Sequence, residues 1–60
     1  MKYYLMTTAS GEPVAAHRAR SARAVQDYHC EYEMPVHRVT MKYLKTVKRY
    51  GKAIEITTIL

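Results

Sequence analysis

Ser21–Glu33, SARAVQDYHCEYE, is the stretch on which the rest of the chain turns, because it carries a helix start, a face and a stop. Ser21 can accept a hydrogen bond from the free N–H groups of a first turn, and Ala22, Arg23 and Ala24 propagate a helix well. Val25, Tyr28, His29 and Tyr32 recur at helical spacing on one side, with Ala22 at its edge. Arg23, Asp27 and Glu31 lie opposite, and Asp27–Glu31 is a like-charge i,i+4 pair that weakens the helix slightly. Pro35 disfavours helical geometry at Met34, so the helix is expected to end near Glu33. Its aromatic stripe demands a sheet or a second helix as cover, and the flanking segments read as that cover.

On the N-terminal side, Lys2–Thr8 (KYYLMTT) is rich in β-branched and aromatic residues and reads as a strand. Tyr3, Leu5 and Thr7 share one face of it; Tyr4 and Met6 share the other. Ala9–Glu12 is a turn in which Gly11 is free to take a positive φ. Pro13–Arg20 (PVAAHRAR) has an ambiguous composition, since alanine and arginine favour helix. Pro13 nonetheless suits the start of an edge strand, and Ser21 is a better cap than anything before His17, so a hairpin is favoured.

On the C-terminal side, Val36–Thr40 (VHRVT) is a strand signal. Residues Thr40–Tyr50 fit two patterns. As a helix, Tyr43, Leu44, Val47 and Tyr50 form one face and Lys42, Lys45 and Arg49 the other, with Gly51 where a C-terminal glycine belongs. As a strand, Val39, Met41, Tyr43 and Val47 alternate, but Lys45 interrupts. The helical count is cleaner. Ala53–Ile59 closes the chain as a strand with Ile54 and Ile56 inward. The expectation is one α+β domain spanning residues 1–60, in the order ββαβαβ, with helices packed on one face of a small, largely antiparallel sheet. The alternative is ββαββ, ending in a long hairpin.

Composition narrows the class. A chain of 60 residues sits near the lower limit for folding without a disulfide or metal, and its single cysteine, Cys30, excludes an intrachain disulfide. The apolar fraction of 48% suits a globular chain. With no Phe or Trp, six tyrosines carry the aromatic volume, which implies a thin core with some tyrosines exposed. A thin core also favours a homodimer. YYLM is too short for a signal peptide and no run reaches the length of a membrane span. A cytoplasmic protein without a membrane partner is expected.

Charge supplies the functional signal. Net charge is +5, distributed as +2 over residues 1–20, −1 over 21–40 and +4 over 41–60. Lys42, Lys45, Lys48, Arg49 and Lys52 form one basic group; Arg18, Arg20 and Arg23 form a smaller one. With Tyr43 and Tyr50 nearby, the first can track a phosphate backbone, although a solvated lysine face serves solubility equally well. Arginine forks suit bidentate recognition of carboxylate or phosphate. His17, His29, His37 and Cys30 show no CxxC or HxxxH spacing, so no metal and no cofactor are expected. A minority reading recruits His37, Arg38, Tyr43 and Glu33 as a small toxin ribonuclease, but their spacing is not diagnostic.

From the first strand to Thr40 the order resembles the small RNA-polymerase inhibitor proteins of T7-like phages. A hairpin is followed by an Ala-x-Ser entry into an aromatic-bearing helix (Ala19 to Ser21), a Tyr-x-x-Pro exit (Tyr32 to Pro35) and a Val-x-Arg-Val strand (Val36 to Val39). The resemblance implies that Arg38 lies on a binding strand. Thr40 stands where a second strand arginine would be expected, and Met41–Leu60 is additional. The expected function is a non-catalytic binding protein, phage- or mobile-element-encoded, that docks on an acidic surface of a host protein and inhibits it. Its partner-binding residues would be Arg18, Arg20, Arg23, Arg38, Lys42, Lys45, Lys48 and Arg49. The alternative is a nucleic-acid-binding protein or transcriptional regulator.

Overall fold

The computed structural model describes residues 1–49 and 55–60, with the side chains of Lys48 and Arg49 outside that description. The elements run β1 (Lys2–Thr7), β2 (Pro13–Ala19), α1 (Ala22–His29), β3 (Val36–Val39), α2 (Met41–Arg49) and β4 (Ile56–Thr58). This is the α+β order expected, and the segment before Ser21 is a strand. The sheet is mixed, in the order β3-β1-β2-β4. β1 pairs antiparallel with both β2 and β3, and β4 joins the outer side of β2 in parallel.

The hairpin joining β1 to β2 is closed by Thr8. Its N–H donates to the Glu12 carbonyl at 2.9 Å, and its carbonyl accepts from Gly11 N–H at 2.9 Å. Gly11 holds φ 92°, the positive value the turn requires. The register slips after Met6, which pairs with Ala15, so that Thr7 pairs with Pro13. The extra residue, exposed Val14, is a bulge beside the proline that cannot donate to the ladder.

Both faces of the sheet are covered. On one, Tyr4, Met6, Ala19 and Val25 form a buried cluster, flanked by Ala15, Ala22, Ala24, Met34, Val36 and Ile59. On the other, Leu5, Ala16 and Leu44 are buried together, with Tyr3, Val39 and Ile56 packed around them. The helices therefore lie on opposite faces, not together on one. Chain topology supplies the reason. β2, β3 and β4 are mutually parallel, so α1 and α2 are both crossover helices. The first crossover runs from β2 back over β1 to β3, and the second from β3 forward to β4. Two crossovers of the same hand running in opposite directions must use opposite faces of the sheet.

Local chemistry sets the helix limits. Ser21 is extended (φ −159°, ψ 164°) and its Oγ accepts from Ala24 N–H at 3.1 Å, the cap expected. The helix stops at His29, four residues before the expected Glu33. Cys30 adopts the left-handed conformation (φ 52°, ψ 38°). Its N–H reaches Asp27 O at 3.2 Å, and Glu31 N–H reaches Gln26 O at 3.1 Å, a pairing that closes a helix end. Tyr32 thus leaves the helix, and Asp27 and Glu31 are no longer i,i+4 neighbours on one.

The expected aromatic face is also corrected. Val25 is fully buried, whereas Tyr28 and Tyr32 are 58% and 53% exposed. With 3.6 residues per turn, Ala22, Val25 and His29 define the buried stripe and Tyr28 falls roughly 90° away from it. The strand beneath offers Ala15 and Ala19, so the helix approaches closely and Val25 fills the gap. The tyrosine is left exposed at the rim.

In α2, Thr40 is the cap. Its Oγ1 accepts from Tyr43 N–H at 3.1 Å and its carbonyl from Leu44 N–H at 3.1 Å. Leu44 is buried, Val47 is half-buried and Tyr43 is exposed. The expected glycine stop at Gly51 and the inward placement of Tyr50 and Ile54 lie outside the described residues. The last strand begins at Ile56, and Ile59 N–H donates to the Arg18 carbonyl at 2.9 Å, extending the parallel pairing.

The left-handed Cys30 generates a prediction. An L-residue in this conformation costs roughly 1–2 kcal/mol, part of which glycine gives back through a freer unfolded chain. Cys30→Gly should stabilise the chain by about 0.5–1 kcal/mol, a rise of several degrees in Tm. A lower Tm in thermal unfolding would contradict the left-handed cap.

Candidate functional site

The eight cations expected to form one surface are divided between the two sides of the sheet. Arg18 pairs across β1 with Tyr3, whose neighbour on β3 is Val39, and this row faces the α2 side. Lys42 and Lys45 lie on α2 itself, and all three residues are exposed. Lys48 and Arg49 belong to the same helix by position. Arg38 sits in the row Arg38–Tyr4–His17, which faces the α1 side. Arg23 is on α1, and exposed Arg20 lies between the end of β2 and the Ser21 cap. Lys52 lies outside the described residues.

Arg23 is engaged inside the chain. Its Nε donates to Asp27 Oδ1 at 3.1 Å, the only ion pair among the described residues, and its guanidinium lies 5.3 Å from the Tyr32 ring centroid. Tyr32 donates its hydroxyl to the same Asp27 oxygen at 2.7 Å. The Tyr32 bond and then the Arg23 bond hold the Asp27 carboxyl below the usual aspartate range. In return, Asp27 pushes the Tyr32 phenol above its usual range. This three-residue cluster is closed and exposed, so it contributes more to fixing the chain after Cys30 than to a binding site.

The α2 side is different. Sequence MKYLKTVKR contains four cations and no acid, and no acidic residue occupies the first turn. The N-terminus of a helix carries partial positive charge, so Lys42 there costs a few tenths of a kcal/mol up to about 1. Exposed Met41 and Tyr43 lie among these lysines. The result is an apolar-studded basic helix laid over the sheet beside Arg18.

A second constellation lies under α1, and no linear spacing reveals it. His17, on β2 and only 4% exposed, meets half-buried His29 at the end of α1, with their Nε2 atoms 2.6 Å apart. Tyr28 stands edge-on to both rings, at centroid distances of 5.3 and 5.2 Å. Burial pushes the His17 pKa down; the Thr57 carbonyl opposes this and the charge of His29 adds to it. The pair is separated by one strand exit and two helical turns, and only the register of β2 under α1 unites it.

The ribonuclease set is not gathered. His37 faces the α2 side, its Nε2 3.2 Å from Thr7 Oγ1, while its neighbour Arg38 faces the α1 side. Glu33 lies in the loop after α1, and Tyr43 is on α2. Among the described residues no helix is long and apolar enough to cross a membrane. Comparison with protein-family models, curated proteins and solved structures finds no match to this chain.

The Asp27 cluster is tested by titrating Tyr32 through its Cζ signal in NMR. The folded-state pKa is raised, so the stabilisation is present below the ordinary tyrosine value near 10 and is lost as pH climbs through the raised value. Tyr32 should titrate above that ordinary value, and Asp27→Asn should bring it back. A Tyr32 signal that titrates ordinarily in the unaltered chain would exclude the bond.

Proposed function

We propose that this chain is a non-catalytic binding protein, phage- or mobile-element-encoded, that lays its α2 side against an acidic surface of a host protein and inhibits that protein. One observation carries the reading. A helix of nine residues contains four cations, no acid and an unfavourable lysine in its first turn, and it lies on the sheet face that also exposes Arg18. A solvated helix kept only for solubility gains nothing from excluding acids, since mixed charge serves that purpose and adds favourable i,i+4 pairs. A cationic helix with exposed Met41 and Tyr43 matches an anionic partner surface with apolar contacts within it. The resemblance to phage polymerase inhibitors supports the inhibitory role; Arg38, the contact it implies, is exposed on edge strand β3 but faces the α1 side and so lies outside this docking surface. Arg23, tied to Asp27, contributes least.

A polynucleotide is the second reading, favoured by the placement of Tyr43 between Lys42 and Lys45, where a base can stack while the ammonium groups meet phosphates. Salt dependence separates the two. A duplex binder loses affinity with a log–log slope of roughly −0.9 per phosphate contact, so Lys42→Ala with Lys45→Ala would flatten the slope by about two. For the favoured reading, generic DNA and RNA should bind negligibly at physiological salt. Capture from a bacterial lysate should retain a defined protein after nuclease treatment. That protein should be lost with Lys42→Glu/Lys45→Glu and kept with Arg23→Ala. Salt-steep polynucleotide binding, with no nuclease-resistant partner, would overturn the inhibitor reading.

A further inference from the structure

The histidine pair under α1 plays no part in the basic surface, and its atoms are arranged in a way that charge pairing does not explain. His17 Nδ1 lies 3.3 Å from the Thr57 carbonyl of β4. A carbonyl only accepts, so Nδ1 carries the ring proton, and neutral His17 directs the lone pair of Nε2 at His29. Fixing the far nitrogen on a backbone carbonyl sets the tautomer and ring orientation of a metal-binding histidine. His17 is only 4% exposed, so its ring is held in this orientation by the surrounding chain. The Nε2 of His29 faces that of His17 at 2.6 Å.

The geometry points to a binding site for one divalent transition-metal ion of the zinc class, held by His17 Nε2 and His29 Nε2, with water in the remaining positions. The ion takes the place of the hydrogen bond between the rings. His29 frees its Nε2 lone pair by moving its proton to Nδ1, so two neutral imidazoles bind the ion and no proton leaves the chain. Zn–N bonds of about 2.0–2.1 Å in a tetrahedral array place two ligand nitrogens roughly 3.3–3.4 Å apart, which asks the rings to separate by about 0.7 Å. His17 is held between β4 and the core, so the movement falls to half-buried His29, the last residue of α1. Tyr28, 58% exposed and edge-on to both rings, stands at the solvent rim of the pair.

The remaining ligand types are otherwise placed. Among the described residues no three His, Cys, Asp or Glu side chains come together, and residues 50–54 contain none of these types. The Cys30 thiol turns to the Asp27 carbonyl at 3.7 Å, and Asp27 itself is taken by Arg23 and Tyr32. Two protein ligands without a carboxylate make an exchangeable site rather than a permanent structural one. Occupied, it would tie the end of α1 to β2 and, through Thr57, to β4. This site is independent of the proposed partner.

The test uses the full chain after chelator treatment, titrated with zinc chloride and followed by the ring-nitrogen NMR signals of its three histidines, with Cys30→Ser in parallel to remove the exposed thiol. Saturation at one ion per chain is expected in both proteins. The Nε2 signals of His17 and His29 should move while that of His37 stays. His29→Ala and His29→Gln, each checked for its folded amide spectrum, should weaken binding at least tenfold. Shifts at His37 in place of the pair, binding lost with Cys30→Ser, unchanged affinity in folded His29 variants, or no saturable binding would each overturn the site.

Discussion

Two adjacent residues of one strand, Leu5 and Met6, are buried on opposite sides of the sheet, and the rest of the architecture follows from that constraint. β1 lies between β2 and β3, so its backbone is hydrogen-bonded along both edges and its side chains must be covered on both faces. Burying a leucine or methionine side chain contributes about 1.5–3 kcal/mol, a large share of the stability open to so small a chain. One helix cannot cover both residues. The chain therefore sends α1 over Met6 and α2 over Leu5, and each helix, too short to persist alone, is held by a single deeply buried side chain, Val25 or Leu44. The alanines of β2 permit this thinness. Ala15 and Ala19 bring α1 close on one side, and Ala16 makes room for Leu44 on the other.

Covering both faces also separates the chemistry. The α1 layer holds the Arg23–Asp27–Tyr32 cluster and the His17–His29 pair, groups that satisfy one another within the chain. The α2 layer holds cations without acidic partners among the described residues. A net charge of +5 is thus not spread evenly over a sphere but weighted to one side. The field of such a side attracts anions and orients approach over a Debye length of about 8–10 Å. The proposed docking of α2 and the proposed metal site lie on different faces for this topological reason.

Much of this was legible in the sequence. Ser21 announces a helix, period-2 alternation in Lys2–Thr8 separates Leu5 from Tyr4 and Met6, and Lys42–Arg49 reads as a helix with a cationic face. What sequence could not supply was the partner of each face. Tyr28 and Tyr32 appeared to be core because they are aromatic at helical spacing; close approach over alanines put the smaller Val25 there instead. The stop at His29 depends on Cys30 taking a left-handed conformation, which no residue preference would suggest for cysteine. The order of strands decided the rest, including the opposed helices, the split of the arginines, and the meeting of His17 with His29. Arg18 and Arg38 were both expected to bind the partner, yet the register through Tyr3 and Tyr4 turns them to opposite faces.

The two-sided burial of β1 is tested most directly by nuclear Overhauser contacts between methyl groups. Contacts are expected from Leu44 to Leu5 and Ala16, with separate contacts from Val25 to Met6 and Ala19, and none between Val25 and Leu44. Contacts from Leu44 to Met6, or between Leu44 and Val25, would place both helices on one face and contradict the two-sided burial.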